Sequence, residues 1–373
     1  MNGAPCRSCG GRVDVIDGFA GMRMVGSDSS IARGTSVIGQ CCSCGLVQKP
    51  ITDRWTAEVD EIYAKYDMTQ SIDGVVQRIY DARTGGSVAR VDAIAARVIG
   101  LLPAAGPATV LDVGTGNGDF VRSIRTARPD TAVDALEASA RYRDDLVSSG
   151  AVRTFFLRRP DVAGPYDAVS ALHVLEHVPE PSAFLADLAG LLVDGGFIWV
   201  QVPNVAVAVN DLLVLDHCSH FTACTLADVV ERAGLVTELL EESAGGRELS
   251  AVLRRDGARA AGVAASGGPD LSAMFNEMER FRARVHASSL DPWVFGVGNM
   301  GAWVAAERDG RIAGFVDEDP VKWGRTFHSR LIVAPLDSAL DGATLCIPLW
   351  GGRAEGVADR LGAVSRGMRT VAP

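Results

Sequence analysis

Three places in this chain combine residue types that can do chemistry. The first is Asp216-His217-Cys218-Ser219-His220, two histidines and a carboxylate within five residues. Histidine is the side chain whose ordinary pKa suits it to take or give a proton near neutrality. The plain alternative is a pair of surface or core histidines. The second is Val110-Leu111-Asp112-Val113-Gly114-Thr115-Gly116-Asn117-Gly118, where an apolar, β-branched run stops at a glycine-rich turn. Gly114, Gly116 and Gly118 lack a Cβ, so a ligand can press against the main chain there. The third is a pair of C-x-x-C motifs, Cys6/Cys9 and Cys41/Cys44, each followed by glycine. Such pairs are the thiolate set of a structural zinc site in a reducing compartment, with four ligands and no open position for water. A redox pair is the alternative, and Cys42 is left over as a packing residue.

The elements that position these residues are read from periodicity. Ala132-Val133-Asp134-Ala135-Leu136 reads as a strand ending at Glu137, about twenty residues beyond the glycine turn, where an acid can bind ribose hydroxyls. Tyr166 to Val178 reads as a further strand and turn, and Gly195 to Asn204 as a strand entered through two glycines and ended by proline. Leu249 to Leu253 is β-rich. From Trp55 to Val98 the pattern is helical, including Ile72, Val75, Val76 and Ile79. Asp256 to Pro269 reads as a linker and Leu271 to Ser288 as an amphipathic helix. Trp293 to Gly301 carries G-x-G-x-x-G after a strand, with Asp317 ending the strand at Ile312–Val316, and Ala343 to Leu349 is another strand. That is a second nucleotide-type α/β unit, short for a complete dinucleotide-binding domain. The expected division is 1–75, a cysteine module with a connecting helix; 76–255, a doubly wound α/β domain; and 256–373, a Rossmann-like module.

The turn spacing is G-x-G-x-G, and with Asp112, Glu137 and the string His173-Val174-Leu175-Glu176-His177 it resembles class I S-adenosylmethionine (SAM) methyltransferases. Another doubly wound domain binding a different nucleotide is the competing reading. The resemblance implies SAM held by Asp112, Gly114, Gly116, Gly118 and Glu137, with Leu172 or His173 lining the pocket. His173 and His177 lie four apart, a spacing that in principle lets two histidines share a metal, but the string reads better as the ordinary turn after the strand.

The order of modules resembles the sugar C-methyltransferases of deoxysugar pathways, which methylate a ring carbon of a nucleotide-linked 4-keto sugar, usually a dTDP-sugar. The double C-x-x-C, "LDVGTGNG", "HVLEH", "VPN" and "FVDEDPVKWGR" have counterparts in order. The family's catalytic segment reads Y-H-E-H-x-S-Y-F-S; here the matching residues are Val214-Leu215-Asp216-His217-Cys218-Ser219-His220-Phe221-Thr222. The resemblance implies His217 as the base that removes a proton beside the ketone, Asp216 next to it or on a sugar hydroxyl, and His220 or Tyr66 as donor to the enolate oxygen. It also implies a sugar nucleotide held through Gly298, Asn299, Lys322 or Arg325. The changes at Val214, Leu215 and His220 leave the sugar and the methylated atom open. An O- or N-methyltransferase on a small metabolite stands as a second reading, and an NAD-dependent oxidoreductase using Gly296, Gly298 and Gly301 as a third.

Composition narrows the partners. Across 373 residues the net charge is -10 and the pI about 5.2, which repels a polyanion such as nucleic acid. The longest apolar run, near Phe197 to Val209, is interrupted by Gln201, Pro203 and Asn204 and does not read as a membrane span. With no signal-peptide pattern at its start, a cytoplasmic protein is expected. The oligomeric state is not legible.

Overall fold

In the computed structural model, residues 4–16, 18–65, 78–81, 86–243, 246–259, 268–288, 290–350, 353–362 and 367–373 are described. The central sheet has seven strands. Thr109–Val113 lies in the middle; Ala132–Leu136 and then Thr154–Phe156 extend one side. Tyr166–Leu172, Leu192–Pro203, Glu248–Arg254 and Val236–Glu242 extend the other. Every neighbour pair is parallel except those made by Glu248–Arg254, which runs antiparallel to both of its neighbours. This order, with one reversed strand next to the last, is the class I methyltransferase sheet that the motifs imply. Its middle strands are apolar on both faces, because helices cover both. Phe120, Val121 and Ile124 of helix Asp119–Ala127 pack on one face with Ile94 and Val98 of helix Arg90–Leu101. Leu185 and Leu188 of helix Pro181–Ala189 cover the other, with Leu226, Val229 and Val230 of helix Ala223–Arg232.

The amino-terminal residues form a four-stranded antiparallel sheet: Val13–Ile16, Ile38–Cys41, Val47–Gln48 and, from far along the chain, Ser219–His220. The last pairing sets Ser219 opposite Gln48 and His220 opposite Val47. The cysteine module is thereby joined to the histidine segment by main-chain hydrogen bonds.

The carboxyl-terminal sheet has the order Thr326–Phe327, Arg330–Val333, Gly314–Val316, Trp293–Phe295, Thr344–Cys346, Arg369–Val371. All its pairs are parallel except the first hairpin. Helix Leu271–Ala287, capped by Asp270 on the Ala273 N–H (2.9 Å), buries Leu271, Met278, Phe281 and Val285. Those residues share a core with Phe19 and Met22 of the amino-terminal segment and Trp303 of the carboxyl-terminal module.

One local reading is corrected. Ile79 itself is not helical: Arg78–Asp81 pairs antiparallel with Gly86–Ala89. The Arg-Ile-Tyr sequence suits a pleated strand as well as a helix, and pairing with Ser87-Val88 decides the matter. Ile72, Val75 and Val76 lie outside the described residues, as does Tyr66.

Candidate active site

The glycine turn follows the central strand at its carboxyl end, where parallel sheets bind ligands. Gly114, Gly116 and Gly118 all have left-handed backbone, φ of 72°, 55° and 83°. A Cβ on Gly114 would lie 2.5 Å from Val174 Cγ2, and one on Gly118 2.1 Å from Leu146 Cδ2, so both strain and space demand glycine. Beneath the turn, Asp112 is buried and its Oδ1 accepts from the Ser170 hydroxyl (2.7 Å). Burial pushes its carboxyl up to about 7. Glu137, just past the second strand, accepts the Gly116 N–H at 3.0 Å and the Ser139 N–H at 3.0 Å. Its carboxylate therefore already faces the turn. Leu172 closes the fourth strand, and His173 beside it adopts left-handed backbone (φ 55°).

A cavity of about 840 Å³ opens over the same end of the sheet. Its walls come from all three parts of the chain: Ser27 and Asp28, then Arg90, His173, His177, Asp211, His217 and Arg247, then Asn299 and Arg353. His217 Nδ1 donates to Asp211 Oδ1 at 2.6 Å. Asp211 is buried, and its other oxygen accepts from His220 Nδ1 at 2.5 Å. Burial opposes its ionisation, but the two imidazoles overcome that and hold the carboxyl well below its ordinary value. Since a carboxylate only accepts, both Nδ1 atoms carry protons, and Nε2 of His217 is the free basic nitrogen.

Asp211 was not singled out from the sequence; it lies in the 3-10 turn Val209–Leu213, six residues before His217, with no motif to mark it. Lys49 was missed too. It is fully buried, and its Nζ donates to the carbonyls of Val214 (2.5 Å) and His217 (2.9 Å), fixing the loop that carries His217. Burial lowers its pKa to about 8 against the pull of Asp211 and Asp216. Trp55 Nε1–H holds the Leu215 carbonyl at 2.9 Å, and Arg7 reaches the Cys218 carbonyl.

Two expected roles are corrected. Asp216 is not free for a sugar hydroxyl: its carboxylate accepts from Ser27 N–H (2.8 Å) and Ser27 Oγ (2.6 Å) and lies 3.3 Å from His177 Nδ1. It is fully buried, so it meets no substrate hydroxyl. Leu215 and Asp216 form a turn, closed by the His217 N–H on the Val214 carbonyl at 3.3 Å, and the neighbour in sequence is not the neighbour in space. His220 is not placed to receive an enolate oxygen: strand pairing with Val47 draws it inside, where it is 1% exposed. Burial, reinforced by Lys49, pushes its pKa down to about 4.

His173 is part of a charged network on the cavity wall. Its Nδ1 meets Glu176 Oε1 at 3.0 Å, and its Nε2 lies beside Arg90 and 3.6 Å from Glu248 Oε1. Burial disfavours its charge, but the two carboxylates prevail and raise it to about 9.

In the carboxyl-terminal unit, Gly296 is left-handed (φ 87°), and a Cβ on Gly301 would lie 2.4 Å from the Gly296 carbonyl oxygen. Gly298 has open space around its Cα, and Asn299 starts helix Asn299–Glu307 while accepting the Ser29 hydroxyl at 2.6 Å. Asp317 receives the Val297 N–H (3.1 Å) and the Lys322 ammonium (3.0 Å). Lys322 is thus tied to the strand end, Arg325 is exposed, and neither lines the cavity. Arg247 and Arg353 do.

The four cysteines converge. Cys6, Cys9, Cys41 and Cys44 have all their sulfurs within 4.8 Å of one another. Backbone N–H groups of Ser8, Gly11 and Ser43 point at sulfurs at 3.3–3.4 Å, and Gly10 and Gly45 turn the chain with φ of 71° and 76°. Four thiols in that cluster fit one tetrahedral ion.

Residues 89–266 match the family described as "Methyltransferase domain". A ubiquinone biosynthesis O-methyltransferase of Xanthomonas campestris pv. campestris (strain B100) is 37% identical over 139 residues, 34% of this chain and 54% of that protein. Its counterpart in Xanthomonas axonopodis pv. citri (strain 306) is 34% identical over 115 residues, 29% of this chain and 48% of the relative. The chain thus spans about half the length of the curated relatives it matches. A solved Burkholderia thailandensis 1,6-didemethyltoxoflavin-N1-methyltransferase, with bound S-adenosylhomocysteine, superposes with a TM-score of 0.41 at 16% identity, covering 59% of this chain and 95% of that one. The central domain is a class I SAM-dependent methyltransferase domain. Among the described residues no helix is long and apolar enough to cross a membrane.

Proposed function

We propose that this chain transfers the methyl group of SAM to a ring carbon of a nucleotide-activated 4-keto deoxysugar, with His217 as the base. The observation that carries the reading is the buried Asp211–His217 pair on the wall of a cavity sized for a small molecule. A ketone acidifies the neighbouring C–H; His217 Nε2 takes that proton, and Asp211 stabilises the imidazolium that results. The enolate carbon then attacks the SAM methyl in line, so the domain's remaining task is positioning. SAM is assigned to Gly114, Gly116, Gly118 and Glu137. Arg90, Arg97, Arg247 and Arg353 line the cavity and suit a diphosphate, with Asn299 beside them. The cysteine cluster is assigned a structural zinc, which keeps the strand Val47–Gln48 in place under His220.

The names of the curated relatives favour a second reading, O-methylation, because the same base would serve a hydroxyl. Solvent deuterium exchange separates the two. With S-adenosylhomocysteine bound to block transfer, the wild type should exchange the substrate's acidic C–H, and His217→Gln should not. Methylation of a hydroxyl without C–H exchange would overturn the C-methyltransferase reading. Exchange at the wild-type rate in His217→Gln would place the base elsewhere.

A further inference from the structure

The loop after the fourth strand and the loop after the fifth bring together a set of groups that proton transfer does not use in full. Glu176, His177 and His217 each place one nitrogen or oxygen within 4.8 Å of the others. The two imidazole rings meet edge to face, with centroids 4.6 Å apart. Each ring is anchored the way a metal-bound histidine is. His217 Nδ1 is held by Asp211 at 2.6 Å, and His177 Nδ1 faces the Tyr63 hydroxyl at 2.9 Å, the Asp216 main-chain oxygen at 3.1 Å and Asp216 Oδ2 at 3.3 Å. An oxygen acceptor on Nδ1, the Asp211 carboxylate for His217 and the Asp216 main-chain carbonyl for His177, fixes the ring and leaves Nε2 as the electron-pair donor.

Glu176 supplies the second, independent observation. It is fully buried, and its Oε1 is taken by His173 Nδ1 at 3.0 Å. Its Oε2 has no hydrogen-bond partner among the described residues. A buried carboxylate oxygen without a donor is costly, and a cation is the partner that such an oxygen lacks here. The Glu176 carbonyl also receives the Cys218 N–H at 2.8 Å, so the two ligand-bearing loops are tied to each other. Three protein groups on a cavity wall leave coordination positions open to solvent or substrate.

We propose that Glu176, His177 and His217 form a binding site for a divalent transition-metal ion. Two imidazoles and one carboxylate select zinc, cobalt or nickel over magnesium or calcium, which prefer all-oxygen sets. Resting on the assignment of His217 as base, the site has a functional consequence. The Nε2 electron pair that would accept the substrate proton is the pair the ion takes, so ion occupancy and proton abstraction exclude each other. The ion-bound enzyme is the inactive form.

The test uses the full-length protein, dialysed against a weak chelator and titrated with Co2+ in the absence of substrate, read by visible d–d absorption and calorimetry. One equivalent should bind with d–d bands and without the intense thiolate charge-transfer bands that mark a cysteine site. His177→Gln and Glu176→Gln should each weaken binding at least tenfold, and Asp211→Asn by about 10- to 100-fold through the loss of ring support. On the wild type, Zn2+ should displace the bands and Mg2+ in tenfold excess should not. Absence of d–d bands at millimolar Co2+, equal affinity in His177→Gln, or displacement by Mg2+ would each overturn the site. Since substrate is absent, this result is independent of the deuterium-exchange test: a His217 that fails as base can still bind cobalt, and the reverse holds.

Discussion

Asp211→Asn is the substitution that probes the proposed role of His217 as base most directly. In the native site each Asp211 oxygen takes one Nδ1–H, at 2.6 Å from His217 and 2.5 Å from His220. Asparagine has the same shape but only one accepting oxygen. If its NH2 faces His217, the ring must carry its proton on Nε2, and the nitrogen that would attack the substrate proton is lost. If its oxygen faces His217 instead, the tautomer survives, but the imidazolium formed during the reaction lacks its buried counter-charge. A hydrogen bond to a charged group contributes about 1.5–3 kcal/mol, so even this milder outcome costs roughly 10- to 150-fold in rate. The tautomer outcome approaches the roughly 10,000-fold limit for losing a general base. The assay is single-turnover methyl transfer together with C–H exchange, both at saturating SAM. Binding of S-adenosylhomocysteine should stay within twofold, because the glycine turn proposed to hold the cofactor follows another strand. Turnover above one-third of wild type in a folded Asp211→Asn protein would refute the claim that Asp211 supports the base.

Glu137→Ala removes the carboxylate that faces Gly116 and should weaken S-adenosylhomocysteine by about 2 kcal/mol, the value of a charge-assisted hydrogen bond; unchanged affinity by calorimetry would mean the ribose is held elsewhere. Cys9→Ser should abolish stoichiometric zinc by elemental analysis and lower the melting temperature, because a module this small depends on the ion for its core; a melting curve like that of the wild type would sink the structural-zinc assignment. Acid should destabilise the protein through His220. Its folded pKa of about 4 lies below the ordinary 6.5, so the unfolded chain takes up that proton first, and stability falls from pH 6.5 towards 4. The slope from this one group is at most about 1.4 kcal/mol per pH unit; denaturant melts of His220→Asn that keep the full wild-type slope would show that other groups carry it.

What the sequence determined is what lies close together along the chain. Val110 to Gly118 marks a strand, a turn and a helix start by residue type alone, because left-handed glycines and a β-branched run are local properties. Glu137 follows from the length of one strand–helix–strand unit. The C-x-x-C pairs announce themselves because two residues set the bite of two sulfurs. The helix from Leu271 was equally legible from its periodicity. What the tertiary structure decided is which groups meet. Asp216 is adjacent to His217 in sequence, yet the turn at Leu215-Asp216 sends it to Ser27 and His177. Asp211 reaches both histidines only because the chain reverses through the turn Val209–Leu213. Lys49 holds the His217 loop from across 168 residues, and Glu176 meets His217 because the fourth and fifth strands are parallel neighbours ending at the same edge. None of these pairings has a fixed spacing, since burial and strand order, not propensity, bring the partners together.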